Sequence, residues 1–280
     1  MVQIHNNVEE AQKKADPHAE QDAAVNQSLA RIKNKIIVMS GKGGVGKTST
    51  SVNLSIALAN KGFKVGIMDV DLHGPDVPRM LGLKGMLDLS KNQKLEPMNS
   101  MKNLKAVSIE SLTSSKDDAI IWRGPIKFSA IKQFVGDVEW GDLDFLIIDS
   151  PPGTGDEPLT IAQTIRDAKA VIVTTPQEVS LADVRKSINF SKTVKMEIFG
   201  LVENMSGFQC PHCGENVDIF GSGGGERTAA ATGIRFLGTV PFDQKVVSCG
   251  DTGTSIQAAY TDSPVSKAIA GIADKVAELA

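Results

Sequence analysis

Gly41-Lys42-Gly43-Gly44-Val45-Gly46-Lys47-Thr48, set between Lys35–Ser40 (KIIVMS) and Thr50–Asn60 (TSVNLSIALAN), decides the fold of this chain. The octapeptide satisfies the phosphate-binding pattern Gly-x4-Gly-Lys-Thr and adds a second lysine, Lys42, near its start. Residues without large side chains let backbone N–H groups curl around an anion. Lys47 can then charge-pair with the outer phosphates, and the Thr48 hydroxyl can ligate Mg²⁺. The run before the loop is short, apolar and rich in β-branched residues, as a buried parallel strand should be. The run after it has helical periodicity, which puts the phosphates at a helix N-terminus. Gly41, Lys42, Gly43, Gly44, Val45, Gly46, Lys47, Thr48 and Ser49 are therefore the candidate residues for binding ATP with Mg²⁺.

Outward from this loop, strand-like and helix-like stretches alternate. The candidate strands are Lys35–Ser40, Lys64–Asp71, Leu104–Ile109, Phe145–Asp149, Ala170–Thr175, Phe199–Asn204 and Phe236–Val240. Periodic helical stretches include Pro125–Val138, Leu159–Ala168, Leu181–Lys195 and a terminal Lys267–Ala280. Continuous apolar strands separated by helices call for a mostly parallel sheet with helices on both faces, an α/β fold of the P-loop NTPase kind. The alternation never breaks cleanly, so residues 34–280 are expected to form one domain. Residues 1–33 are polar and are expected to be a flexible N-terminal arm with a frayed helix around Gln27–Lys33. Gly82–Asn103 and Ser206–Gly225 look like inserted loops.

Bulk composition narrows the function classes. The 280 residues are 41% hydrophobic and 22% charged, with a net charge of −3. That balance gives no whole-chain case for binding nucleic acid or acidic membrane. No apolar stretch reaches the length of a membrane span, and the N-terminus lacks the apolar region of a signal peptide. The expected compartment is the cytoplasm. Three cysteines exclude a disulfide framework. Two of them, Cys210 and Cys213, form a Cys-x-x-Cys pair, which in a reducing compartment points to metal or redox chemistry.

Two acidic segments complete the nucleotide machinery. Asp69-Val-Asp71-Leu-His-Gly-Pro-Asp76 follows the second strand, where a parallel sheet places its ligand crevice. Asp71 is expected near the phosphates, to position the attacking water and act with Mg²⁺; Asp69 could support the metal through water. Phe145-Leu-Ile-Ile-Asp149 is four apolar residues ending in an acid, the Walker B arrangement, in which Asp149 holds Mg²⁺ directly or through water. Pro151-Pro-Gly-Thr-Gly155 behind it can report on the γ-phosphate.

Taken together, these residues resemble a known family. The early lysine of the P-loop is similar to the deviant Walker A motif of the MinD/ParA/nitrogenase iron-protein class. Within that class the chain most resembles the Mrp/ApbC iron–sulfur cluster carrier ATPases. The resemblance rests on Asp-Val-Asp-Leu-His-Gly-Pro-Asp at 69–76, Trp-Arg-Gly-Pro at 122–125, Asp-Ser-Pro-Pro-Gly-Thr-Gly-Asp at 149–156, Glu-Asn-Met-Ser at 203–206 and Cys-Pro-His-Cys-Gly at 210–214. It implies a homodimeric ATPase in which catalytic Lys42 reaches the partner's nucleotide, beside catalytic Lys47 and Asp71. It also implies that Asn204 contacts adenine, and that the protein hands a cluster to apo iron–sulfur proteins. Two departures stand out: no N-terminal cysteine cluster is present, so no second cluster site is expected, and position 76 is Asp where a small hydroxyl residue is expected.

Cys210-Pro-His-Cys213-Gly214 has the shape of a metal knuckle, with Gly214 permitting the tight turn. Two thiolates do not fill the four positions of a [4Fe–4S] cluster or a tetrahedral zinc site. A dimer supplies the other pair, which favours a shared site on a two-fold axis. A disulfide oxidoreductase motif, a shared structural zinc and inert cysteines are the alternatives. A MinD-like membrane regulator would want a cationic, bulky-apolar terminal helix, and a ParA-like partition ATPase a basic patch. Neither signal is present in the sequence, and neither explains the cysteines. Cys249 is expected to pack, and His212 to lie exposed.

Overall fold

The computed structural model describes residues 17–71, 74–112, 124–210 and 212–280. The strands are β1 (Ile32–Ser40), β2 (Val65–Asp69), β3 (Asp88–Leu89), β4 (Leu95–Glu96), β5 (Met98–Met101), β6 (Leu104–Ser108), β7 (Leu143–Asp149), β8 (Lys169–Thr174), β9 (Glu197–Gln209), β10 (Asn216–Val217) and β11 (Phe236–Phe242). All but β3 and β4, which pair with each other, join one sheet in the order β10-β9-β8-β1-β7-β2-β6-β5, with β11 also on β9. Within it, β1 pairs in parallel with β7 and β8, and β2 with β7 and β6. The pairs β8–β9 and β9–β11 are parallel too, whereas β5 and β10 are antiparallel additions.

The α-helices are α1 (Pro17–Leu29), α2 (Lys47–Asn60), α3 (Val77–Met80), α4 (Gly124–Gly136), α5 (Asp156–Thr164), α6 (Glu178–Thr193), α7 (Gly224–Thr232), α8 (Gln244–Thr252), α9 (Ile256–Ala259) and α10 (Pro264–Glu278). Because successive strand residues point to opposite faces, the apolar runs feed two separate cores. Ile36, Val38, Phe145 and Ile147 pack with Leu54 and Leu58 of α2 and Ile269 and Ile272 of α10. Ile37, Met39, Leu146 and Ile148 pack on the other face with Phe134 of α4, Ile161 of α5 and Val184 and Ile188 of α6. A strand buried on both faces needs apolar residues at every position, which is why Ile36–Met39 of β1 and Phe145–Ile148 of β7 read as unbroken hydrophobic runs.

The predicted strands and helices from residue 35 onward are present, with ends moved by a few residues, whereas the helix expected around Gln27–Lys33 gives way to the end of α1 at Leu29 and the start of β1 at Ile32. Three segments differ from expectation. The stretch read as a flexible arm holds α1, whose Val25 and Leu29 are buried in the second core. A Cβ on Gly136 would lie 3.2 Å from Val25 Cγ2, so α1 and α4 cross closely there. Two apolar side chains suffice because tertiary packing, rather than local propensity, stabilises such a helix. Residues 1–16 lie outside the described residues. Gly82–Asn103 contains β3, β4 and β5 rather than one bare loop. The first four residues of Ser206–Gly225 continue β9 to Gln209, and β10 folds back on it as an antiparallel hairpin.

Candidate functional site

The phosphate-binding loop is held from three sides. At the end of β1, Ser40 Oγ donates to Lys42 O at 3.0 Å, and Gly153 N donates to Ser40 O at 2.9 Å. A Cβ on Gly41 would lie 2.3 Å from the carbonyl carbon of Asp183 in α6, so only glycine lets the loop start here. Gly46 has φ 80°, a left-handed conformation that glycine adopts freely, and a Cβ there would come within 2.1 Å of Asn204 Nδ2. Asn204 Nδ2 itself donates to Val45 O at 2.9 Å. The loop residues Gly43 and Gly44 stay exposed, Val45 is buried beneath them, and Ser49 stands in the first turn of α2.

Asp149, fully buried at the end of β7, is the centre of the charged network. It accepts from Lys47 Nζ at 2.9 Å, Thr48 Oγ1 at 2.8 Å and Ser51 Oγ at 2.5 Å. Asp71 Oδ2 stands 3.9 Å from the same Lys47 Nζ. The chain thus gathers Lys47, Thr48, Asp71 and Asp149 from two elements and one loop into one place, the donor set a magnesium–phosphate group calls for. Ser51 was not a sequence candidate, although its position one helical turn beyond Lys47 is a usable signal.

Asp69 is engaged by bonds within the chain. Its buried carboxyl accepts from Asp71 N at 3.1 Å, Val77 N at 3.2 Å and Ser108 Oγ at 3.3 Å. Those bonds shape the turn that presents Asp71. Burial, followed by the charge of Asp149, pushes the Asp69 carboxyl well above the usual carboxylate range. Asp76 is exposed at the head of α3, 4.0 Å from Arg79. Lys42 is half-buried, and no side-chain bond holds it among the described residues. His73, Trp122 and Arg123 lie outside the described residues.

Beside the loop opens a cavity of about 340 Å³. Thr48, Ser49 and Asn204 form one wall; Val240, Pro241, Phe242 and Asp243 a second; Val246, Ile269 and Ile272 an apolar floor. Its size and apolar base suit a nucleoside next to the phosphate loop. The C-terminal lining was missed in the sequence. The signal was available at Val240-Pro-Phe-Asp243, since residues just past a strand's carboxyl end line the crevice of such sheets.

The cysteines sit at the tip of the β9–β10 hairpin. Cys210 N donates to Glu215 O at 2.8 Å and Gly214 N to Cys210 O at 2.9 Å, with Gly214 at φ 76°. Backbone N–H groups of Cys213 and His212, with the Cys213 thiol, point at the Cys210 sulfur and hold its pKa below the usual thiol value. Cys210 is half-buried, and Cys213 and His212 are exposed. At the hairpin's base Phe242 makes edge-on contacts with Phe208 and Phe220, at 6.0 and 6.2 Å. No three metal-ligating side chains of His, Cys, Asp or Glu converge among the described residues, so one knuckle offers two thiols. Cys249 is buried in α8 and burial raises its pKa. No described helix is long and apolar enough to cross a membrane.

Comparison with known proteins follows the same lines. A family model described as ParA, NUBPL iron-transfer P-loop NTPase, matches residues 31–277. An iron-sulfur cluster carrier protein of Methanocaldococcus jannaschii is 49% identical over 236 residues, 84% of this chain and 81% of that protein. The cytosolic Fe-S cluster assembly factor CFD1 of Saccharomyces cerevisiae is 48% identical over 227 residues, 79% of this chain and 78% of that protein. A nucleotide-binding protein of Archaeoglobus fulgidus, solved in complex with ADP and with cobalt, has a TM-score of 0.75 at 39% identity, covering 85% of this chain and 93% of that one. The septum site-determining protein MinD of Pyrococcus horikoshii, with Mg-ADP, shares the fold at TM-score 0.63 and 21% identity, covering 88% and 97%. This chain belongs to the NUBPL iron-transfer family of ParA-type P-loop NTPases.

Proposed function

We propose that this chain is an ATP-hydrolysing carrier that holds a [4Fe–4S] cluster between the Cys210/Cys213 pairs of two copies and hands it to apo iron–sulfur proteins. The observation that carries the proposal is the course of β9, which runs from the nucleotide wall at Asn204 to Gln209, the residue before Cys210. In this reading the backbone of Gly41–Gly46 cradles the phosphates, Lys47 neutralises the outer ones, and Asn204 contacts adenine at the cavity wall. Thr48 and Asp149, bonded to each other at 2.8 Å, would hold Mg²⁺, which would supply charge neutralisation to the phosphates. Asp71 orients the attacking water from beside Lys47, and Lys42 reaches across to the partner copy's phosphates.

The cysteines act on cargo. Two thiolates per chain leave half of a four-iron cluster's ligand positions to a second copy, and the exposure of Cys213 favours release as well as capture. Relatives named as a carrier and as an assembly factor support the same assignment. The test is anaerobic purification and reconstitution followed by iron, sulfide and zinc analysis. About four iron and four sulfide per two chains are expected, abolished in Cys210→Ala or Cys213→Ala and kept in Cys249→Ala. Stoichiometric zinc without sulfide would instead make the protein a regulatory ATPase with a structural zinc knuckle.

A further inference from the structure

Glu203 and Asn204 are consecutive residues of β9 and therefore face opposite sides of the sheet. Asn204 follows Val202 onto the face of α2, where its amide is bonded to the carbonyl of Val45 in the phosphate loop. Glu203 follows Leu201 onto the face of α7 and is fully buried. There its carboxylate closes the base of the cysteine hairpin. Oε1 accepts from Ser206 Oγ at 2.6 Å and from Gly223 N at 2.9 Å, and Oε2 accepts from Gly225 N. Ser206 lies in β9 three residues before its end at Gln209, and Gly223 and Gly225 lie at the start of α7, where the chain comes back from β10. Three donors converge on this side chain, and only an acid can accept from all of them.

The surroundings leave little slack. A Cβ on Gly225 would lie 3.0 Å from Glu203 Cβ, and one on Gly224 would lie 2.6 Å from Pro176 O. Thr174 of β8 and Thr239 of β11 flank Glu203 in register, so the strand cannot slide at this point. Met205, between the clamp and the hairpin, is held at φ 55°. Asn204 lines the cavity beside the phosphate loop, so in the proposed function nucleotide acts one peptide away from the carboxylate at the hairpin's base.

We propose that Glu203 is a positioning residue that relays occupancy of the nucleotide cavity to the cysteine hairpin, and so sets the presentation of Cys210 and Cys213. The proposal deepens the carrier reading and rests on it for its biological meaning. It touches neither nucleotide nor cargo.

The experiment measures amide hydrogen exchange of peptides spanning 206–225 in the full chain, wild type and Glu203→Gln. Each is run without nucleotide, with ADP and with a non-hydrolysable ATP analogue. The wild-type hairpin should change its exchange by at least about fivefold between nucleotide states. In Glu203→Gln, one donor faces an amide N–H₂ instead of an oxygen. Exchange of Gly223 and Gly225 should then rise about tenfold or more in every state, and the nucleotide response should vanish. Nucleotide affinity should stay within about threefold of wild type. A wild-type hairpin indifferent to nucleotide, or a Glu203→Gln hairpin that responds like wild type, overturns the relay. Should Glu203→Gln fail to fold, Ser206→Ala removes one donor alone; it should lose part of the response, and an undiminished response overturns the proposal. Iron and sulfide content of the same samples separates the two readings. A responsive hairpin without cluster refutes the carrier and upholds the relay, whereas a loaded hairpin deaf to nucleotide refutes the relay and leaves the carrier.

Discussion

Lys47 and Lys42 stand five positions apart in one loop and meet opposite surroundings. Lys47 is buried against Asp149 within its own chain, whereas no side-chain bond engages Lys42 among the described residues. Lys42→Ala should therefore leave ATP affinity within about threefold of wild type in a binding titration. It should lower steady-state phosphate release by about 10²–10³-fold, the usual loss when one charge-stabilising donor is removed from a transition state. Unchanged turnover would end the role assigned to Lys42. Gly46 makes the opposite case, since a methyl group there meets both a left-handed backbone and the Asn204 amide. Gly46→Ala should abolish measurable ATP binding and lower stability by about 1–2 kcal/mol or more. Adding Asn204→Ala should restore part of that stability in chemical unfolding, because the two changes share one collision. Strict additivity would show that the collision is relieved elsewhere.

At the scale of elements, the lower end of the sheet is pinned by one acid. Asp144 at the start of β7 accepts from Lys33 Nζ and Lys64 N, both at 2.8 Å, while its carbonyl receives the Asn34 amide at 3.2 Å. The Lys33 bond, then the Lys64 N–H, lowers its pKa below the usual 3.8. A depressed carboxyl stabilises the fold above the unfolded value, and the contribution fades as pH falls through the lowered one. Asp144→Asn should cost about 1 kcal/mol at pH 7 after allowance for solvent, and progressively less in acid as the pH falls through the lowered carboxyl value. Equal losses at both pH values in urea titrations would assign the effect to packing. Elements with a strong local signature were legible in the sequence: β1, the P-loop and α2 are contiguous, and Asp149 closes an unmistakable apolar run. Helix α1 was not legible, because Val25 and Leu29 gain a partner only when α4 arrives from more than a hundred residues later. The cavity floor was hidden for the same reason, as Ile269 and Ile272 are ordinary helix residues until α10 docks beside α2. Glu203 reads in sequence as one acid in a strand, and its role emerges only when Gly223 and Gly225 fold back onto it.

For the whole molecule, the decisive quantity is how many copies share one cargo. Each chain offers a single knuckle of two thiols, and Cys249 is buried far along the chain in α8. Cluster-loaded protein should therefore sediment at twice the 29.7 kDa chain mass, and Cys213→Ala should not shift its mass on attempted loading. A loaded single chain in sedimentation velocity would rule out the shared arrangement. The near-balanced net charge of −3 gives two copies little long-range repulsion to overcome on meeting.

The clasp at Glu203 also bears on how such a protein could be taken apart. It brings Ser206 and Gly223 onto the same oxygen atom, so the ends of the hairpin are neighbours in space although the sheet continues without it. A segment with touching ends can be excised and its stumps rejoined by a short turn at small entropic cost. Replacing Gly207–Ser222 by such a turn would keep the Thr174–Glu203–Thr239 register of β8, β9 and β11 but remove Phe208 and Phe220, the two rings packed on Phe242 of the nucleotide wall. The cysteine tip is thus a separable module on an NTPase chassis, and any tip exchanged for it must keep an apolar cover over Phe242.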